Sequence, residues 1–246
     1  MSQHSRRTAI VTGASGGIGA AISQRLAADG FAVAVHYSSS RDAADRLVAA
    51  IAANGGHAAA IPADLAAHDG ARILFDQTEQ RLGPVDVLVN NAGLNDLAPV
   101  AESTDEMFDR QVAVNLGGAF RGMREAAARL RPQGRIINIS TSVVGVFLPT
   151  YGVYAATKAA VEALTRVMSK EMGERGITVN AVAPGPVETP LFLRNKSEER
   201  VQAIANMNPF RRLGQPDDIA GVVAFLAGPD AGWVNGQVIR ANGGMV

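Results

Sequence analysis

The 246-residue chain contains no cysteine, only four histidines, and no excess of either charge, its 23 lysines and arginines being matched by 23 aspartates and glutamates. The missing cysteines exclude disulfides, thiolate metal sites and thiol nucleophiles, and fit a reducing compartment. With the histidines few and scattered, no metal site is expected. Charge neutrality argues against a basic nucleic-acid surface, so no nucleic-acid partner is expected. A long hydrophobic run is missing too: the longest uncharged stretch, between Arg135 and Lys158, is interrupted by Asn138, Ser140, Thr141, Ser142 and Pro149. It reads as buried structure rather than a membrane helix. Met1–Arg7 leads directly into Thr8–Thr12 without an apolar segment, so no secretory signal is read and a cytoplasmic, membrane-free protein is expected.

What is present is 47% hydrophobic residues, enough for a substantial core, and 26 glycines without a collagen-like period. Short Val/Ile/Ala-rich runs recur at Ala9–Thr12, Ala32–Tyr37, Ala58–Pro62, Val85–Asn90, Arg135–Ser140, Thr178–Ala183 and Gln237–Arg240. They are continuously apolar, as parallel strands covered on both faces are. Helical segments alternate with them: Gly17–Asp29, Arg41–Ala53, His68–Leu82, Thr104–Leu130, Tyr151–Glu174 and Asp217–Leu226. This alternation predicts an α/β protein, a single Rossmann-like doubly wound domain over residues 1–246, with a seven-stranded parallel sheet and helices on both faces.

Directly after the first run stands Thr12-Gly13-Ala14-Ser15-Gly16-Gly17-Ile18-Gly19 and then a helical segment. Glycines belong where backbone turns with positive φ, approaches a pyrophosphate, or packs helix on strand, and the helix start offers free N–H groups to phosphate. The segment from Gly13 through Ser15, Gly16, Gly17, Ile18 and Gly19 is therefore assigned to a dinucleotide. The second strand ends His36-Tyr37-Ser38-Ser39-Ser40-Arg41, with no carboxylate before Asp42. A carboxylate there would bind the ribose 2′-hydroxyl of NAD, whereas hydroxyls and Arg41 suit a 2′-phosphate, so NADP(H) is favoured over NAD(H), with Tyr37, Ser38 and Ser39 as contacts. Asp64, with Leu65 beside it, follows the third strand and is placed to accept from the adenine amino group, or to cap a helix.

The chemical residues cluster at later strand ends. Asn90-Asn91-Ala92-Gly93 follows the fourth strand, and Ser140-Thr141-Ser142 closes the fifth. Tyr154 and Lys158 then stand four residues apart, on one helix face. A cation within ~4–6 Å lowers a phenol by ~1–3 units, so Lys158 is expected to make Tyr154 a usable proton donor near neutrality. A neighbouring hydroxyl would polarise a carbonyl, and a nicotinamide would carry the hydride: carbonyl–alcohol interconversion.

Taken together these motifs resemble the short-chain dehydrogenase/reductase family over nearly the whole chain, with Thr12–Gly19 as its cofactor loop, Asn90–Gly93 as its Asn-Asn-Ala-Gly element and Tyr154/Lys158 as its catalytic pair. The resemblance implies further roles: Asn91, Ala92 and Gly93 against the cofactor, Asn115 holding a water that links Lys158 to solvent, and Pro184, Gly185, Val187 and Thr189 beside the nicotinamide. Ser142 heads a Ser-Val-Val-Gly run like that of 3-oxoacyl-acyl-carrier-protein reductases and is taken as the polarising hydroxyl, although Thr141 has the commoner spacing to Tyr154. Residues from about 190 to 210 correspond to the family's substrate lid. The resemblance also implies a small carbonyl substrate or an acyl-carrier thioester, for which Arg121, Arg124, Arg129 and Arg131 offer a basic entrance or simply a solvated helix face. It implies a homotetramer as well.

Overall fold

The computed structural model describes residues 6–194 and 196–246. Its centre is a seven-stranded sheet in the order β3-β2-β1-β4-β5-β6-β7, every pairing parallel. The strands are β1 (Thr8–Val11), β2 (Ala32–Tyr37), β3 (His57–Pro62), β4 (Val85–Asn90), β5 (Arg135–Ile139), β6 (Thr178–Pro184) and β7 (Val238–Ala241). The helices are α1 (Gly17–Ala28), α2 (Arg41–Ala53), α3 (Gly70–Leu82), α4 (Asp105–Gln111), α5 (Ala119–Arg129), α6 (Val143–Val146), α7 (Gly152–Glu171), α8 (Pro190–Leu193), α9 (Glu198–Ala205) and α10 (Pro216–Ala227).

Alternation by twos is present inside the apolar runs, but it separates two buried faces. Ala9, Val11, Val33, Val35, Val87 and Val89 face one core together with Ile22 and Leu26 of α1 and Val223 of α10. Ile10, Ala34, Leu88 and Ile136 face the other, against Leu74 and Phe75 of α3 and Met123 of α5. Strand order reverses between β1 and β4, so their carboxyl ends diverge into a crevice, the place where open α/β sheets bind ligands.

The expected single helix over residues 104–130 is instead α4 and α5 joined by a π-helical stretch, Val112–Gly118. The wider turn presents Asn115 to the strand-end loop, where its amide grips both backbone groups of Leu94: Leu94 N donates to Asn115 Oδ1 at 2.7 Å and Asn115 Nδ2 donates to Leu94 O at 2.9 Å. The arginines on and just after α5 are largely consumed by structure. Arg121 is buried and donates to the carbonyls of Leu65, Ala66 and Ala113. Arg129 pairs with Glu79 at 2.6 Å and Asp76 at 2.7 Å, pinning α3 to α5, and Arg131 pairs with Asp86 at 2.5 Å. Among the described residues no helix is long and apolar enough to cross a membrane.

Candidate active site

The crevice opens into a cavity of about 1130 Å³ that runs from the end of β2 past the glycine loop to α9. Every residue singled out from the sequence for cofactor or catalysis lines it except Arg41 and Asn115, the latter sitting behind the wall. Asn115 still reaches the site, because a Cβ built on Gly93 would lie 3.3 Å from Asn115 Oδ1 and 3.5 Å from Lys158 Nζ.

The glycines divide by cause. Gly13 and Gly17 have φ of +62° and +54°, a region that side chains disfavour. At Gly19 a Cβ would lie 2.5 Å from both Asn91 Nδ2 and Gly13 O, so only hydrogen fits. Gly16 is neither: its φ is −174° and nothing lies within 4 Å of an added Cβ. It caps α1 without a side-chain hydrogen bond. Open space above unsatisfied helix-start N–H groups is what a pyrophosphate requires, and the residues present fit a dinucleotide.

Side chains from three strand ends hold this loop. The Thr12 hydroxyl accepts from the N–H groups of Asn91 and Ala92 at 2.8 and 2.9 Å, while Asn91 Nδ2 donates to Thr12 O and Gly13 O at 2.8 and 3.1 Å. His36, 2% exposed, accepts from Gly13 N at its Nδ1 (2.9 Å) and donates from Nε2 to Ala63 O (3.1 Å). Burial holds this imidazole down at about 4, against weaker upward pulls from the Ala63 carbonyl and Asp64, so it stays neutral at physiological pH and keeps its Nδ1 lone pair for Gly13. Asp64 accepts from Ala66 N at 2.9 Å while lining the end of the cavity beside β2. Tyr37, Ser38, Ser39 and Ser40 line that end too, whereas Arg41 pairs with Asp45 at 3.4 Å and is not part of the wall.

At the other end of the crevice, Tyr154 and Lys158 share the cavity-facing side of α7, with Lys158 Nζ 5.9 Å from the Tyr154 ring centroid. Lys158 is buried and donates to Ile139 O at 2.7 Å. The expected lowering of the phenol by Lys158 does not appear. Burial pushes Tyr154 up to about 12, with only partial relief from a hydrogen bond to Thr141, and burial brings Lys158 down to about 8. At neutral pH the pair is therefore a protonated phenol beside an ammonium.

Thr141 is the hydroxyl that acts on the phenol, pulling it downward, and its Oγ1 also accepts from Val143 N at 3.3 Å. Ser142 Oγ donates its one proton to Ala183 O at 3.2 Å and accepts from Asn242 Nδ2 at 2.9 Å, which leaves it no free proton for a carbonyl. The Ser142 hydroxyl, expected as the polarising group, is thus engaged within the fold. Asn242 carried no sequence signal, since its Ser142 contact spans 100 positions. Thr189 caps α8, accepting from Phe192 N at 3.1 Å, and its methyl would lie 3.2 Å from a Cβ on Gly17. Val187 is fixed by a bridge to Gly214.

The likeness to known proteins is extensive. A family model described as enoyl-(acyl carrier protein) reductase matches residues 13–246. A short-chain type dehydrogenase/reductase of Picea abies is 46% identical, covering 98% of this chain and 92% of the relative. An NADPH-dependent aldehyde reductase of Arabidopsis thaliana is 43% identical, covering 97% and 93%. Among solved structures, the angucycline C-6 ketoreductase LanV with bound NADP superposes with a TM-score of 0.92 at 38% identity, over 97% of this chain and 95% of that one. The chain belongs to the short-chain dehydrogenase/reductase family, enzymes that interconvert carbonyls and alcohols with a nicotinamide dinucleotide.

Proposed function

We propose that the protein is an NADPH-dependent reductase of ketones or aldehydes in which Tyr154 gives the proton and Thr141 orients the carbonyl. The observation that carries this reading is the convergence of the Thr141 hydroxyl, Tyr154 phenol and Lys158 ammonium on the cavity that also holds the glycine loop. The cofactor, when bound, supplies the hydride to the carbonyl carbon. The chain's own residues do the rest. Tyr154, protonated at neutral pH, donates to the carbonyl oxygen as it becomes an alkoxide, and Thr141 donates a second hydrogen bond to the same oxygen. Lys158 then stabilises the phenolate left behind. Asn115, fixed by Leu94 and Thr157, sets the backbone wall next to that ammonium and is read as positioning its water.

NADPH is preferred to NADH on this reading because the wall at the end of β2 offers hydroxyls and no carboxylate, and Asp64 is the only acidic residue among the described lining residues. The relatives named for NADP or NADPH support it. Gly13, Ser15, Gly16, Gly17, Ile18 and Gly19 take the pyrophosphate; Tyr37, Ser38 and Ser39 the 2′-phosphate; Asp64 and Leu65 the adenine. Asn91, Ala92, Gly93, Pro184, Gly185, Val187 and Thr189 line the nicotinamide side. Small ketones and free 3-oxoacyl thioesters suit the site better than a docked acyl carrier, since Arg121, Arg129 and Arg131 are engaged within the fold. The reading extends to a homotetramer in the cytoplasm, with exposed Phe108, Phe120 and Val167 of α4, α5 and α7 as apolar contact residues; light scattering checks its mass.

The test is a screen of NADPH oxidation against acetoacetyl thioesters, quinones, keto sugars and simple ketones, repeated with Tyr154→Phe. The variant is expected to lose about 10²–10⁴ in kcat while binding NADPH as before. Turnover retained by Tyr154→Phe refutes the proton-donor role.

A further inference from the structure

The cavity carries a charge asymmetry that hydride transfer does not need. Arg194, Lys196 and Arg200 line its outer wall, whereas Glu198 and Glu199, the acidic neighbours in the same segment, are exposed and lie outside the lining. Among the described residues none of the three cations forms an ion pair with a carboxylate. Arg194 and Arg200 are exposed where they meet the cavity, and Lys196 is half-buried.

Arg200 is not explained by local stability. Arg200 stands in the first turn of α9, where helix-start N–H groups disfavour a positive charge. Lys196 donates to Phe192 O and lies 4.6 Å over the Phe192 ring, so its ammonium is held in place beside the cavity. Burial and then the charge of Arg200 both pull Lys196 downward, and Arg200 also acts on the Tyr151 phenol. Arg200 is thus near both Lys196 and Tyr151. Tyr151 in turn stands edge-on to Tyr154, ring centroids 6.3 Å apart. The same wall carries apolar side chains: Leu148, Leu191, Phe192 and Met207.

We propose that the preferred substrate is an amphiphilic ketone bearing a carboxylate on the far side of an apolar body, its acid group held by Lys196 and Arg200 while its carbonyl lies at Thr141 and Tyr154. This rests on the carbonyl-reductase reading above and adds the substrate's charge to it. The two cations repel one another until an anion arrives between them, so binding relieves a repulsion as well as forming new pairs.

The probes are 4-acetylbenzoate and its methyl ester, which share one ketone and one ring and differ only in charge. For the unmodified enzyme kcat/KM is expected to favour the acid by about tenfold, the equivalent of about 1.4 kcal/mol, through KM rather than kcat. In the double variant Lys196→Gln/Arg200→Gln the ratio of acid to ester is expected to fall to about one, and added salt should erode the wild-type ratio. Binding of both probes to the NADP⁺-loaded protein is followed by calorimetry, which reads the charge preference without turnover. Tight binding of the acid without reduction would strike the reductase reading alone. Reduction of both probes with no preference for the acid would overturn the present proposal alone. A double variant that loses affinity for NADPH while keeping the acid-to-ester ratio would assign the cations to the cofactor's phosphates, and would overturn it too.

Discussion

Acidification from about pH 7 to 5 should loosen this fold through one imidazole, and by an amount that can be worked out. His36 is 2% exposed and wedged between Gly13 N and Ala63 O. Its value falls from an ordinary 6.5 to about 4, chiefly by burial. At ~1.4 kcal/mol for each pH unit, the whole shift corresponds to roughly 3 kcal/mol. The sign follows from which state takes the proton. The unfolded imidazole is protonated below 6.5 and the folded one only below about 4, so His36 leaves stability level above 6.5 and lowers it progressively as pH falls to 4, with about 2 kcal/mol gone by pH 5. Denaturant titrations at a series of pH values measure this, and His36→Asn isolates it from the carboxylates. Asparagine keeps an acceptor for Gly13 N–H but loses the bond to Ala63 O, which should cost about 1 kcal/mol at neutral pH. The variant should therefore begin less stable and end more stable, the two curves crossing between about pH 6 and 5. Parallel curves across that window would refute the reasoning, because they would mean that the folded protein protonates His36 as readily as the unfolded chain.

Thr141→Ala should lower kcat more than Ser142→Ala, and the serine variant should show its loss mainly in thermal stability, having broken the bonds to Ala183 and Asn242; the opposite ranking would return the polarising role to Ser142. Gly19→Ala places a Cβ 2.5 Å from Asn91 Nδ2 and Gly13 O, so it should destabilise by about 1–3 kcal/mol and weaken NADPH binding, measured by denaturation and by cofactor fluorescence. An unaltered dissociation constant would show that the loop relaxes freely. With Lys158 at about 8, its ammonium is lost as pH rises through that value, and kcat/KM should decline on the alkaline side; a profile flat from about pH 7 to 10 would remove the need for its charge.

The strands were legible because their signal is local. All seven appear where apolar runs predicted them, within a residue or two at their ends; helices on both sheet faces keep those runs apolar on both sides. The short helices Val143–Val146, Pro190–Leu193 and Glu198–Ala205 were not read, being too brief to show a 3.6-residue period. The glycine loop and the Tyr154/Lys158 pair were legible for the same local reason. What escaped depends on distance in sequence. Whether Thr141 or Ser142 faces the phenol is decided by Asn242 and Ala183, and the work of His36 by a backbone N–H 23 positions away. The place of Lys196 and Arg200 on the cavity wall likewise follows from where the α8–α9 segment lies, which no charge pattern encodes.

The π-helical stretch at Val112–Gly118 means that α4 and α5 are out of phase, as if one residue had been slipped into a continuous rod. Each residue of an α-helix turns the chain by roughly 100°, so removing one residue from this stretch would regularise the hydrogen bonding and rotate all of α4 about its axis by that angle. Gln111, which now donates to Asp96 O at 3.1 Å, and Asn115, which clasps Leu94, could no longer both face the same loop. The surplus residue therefore acts as a phase shifter: it lets one side of the rod follow the sheet and the other follow the rim of the cavity.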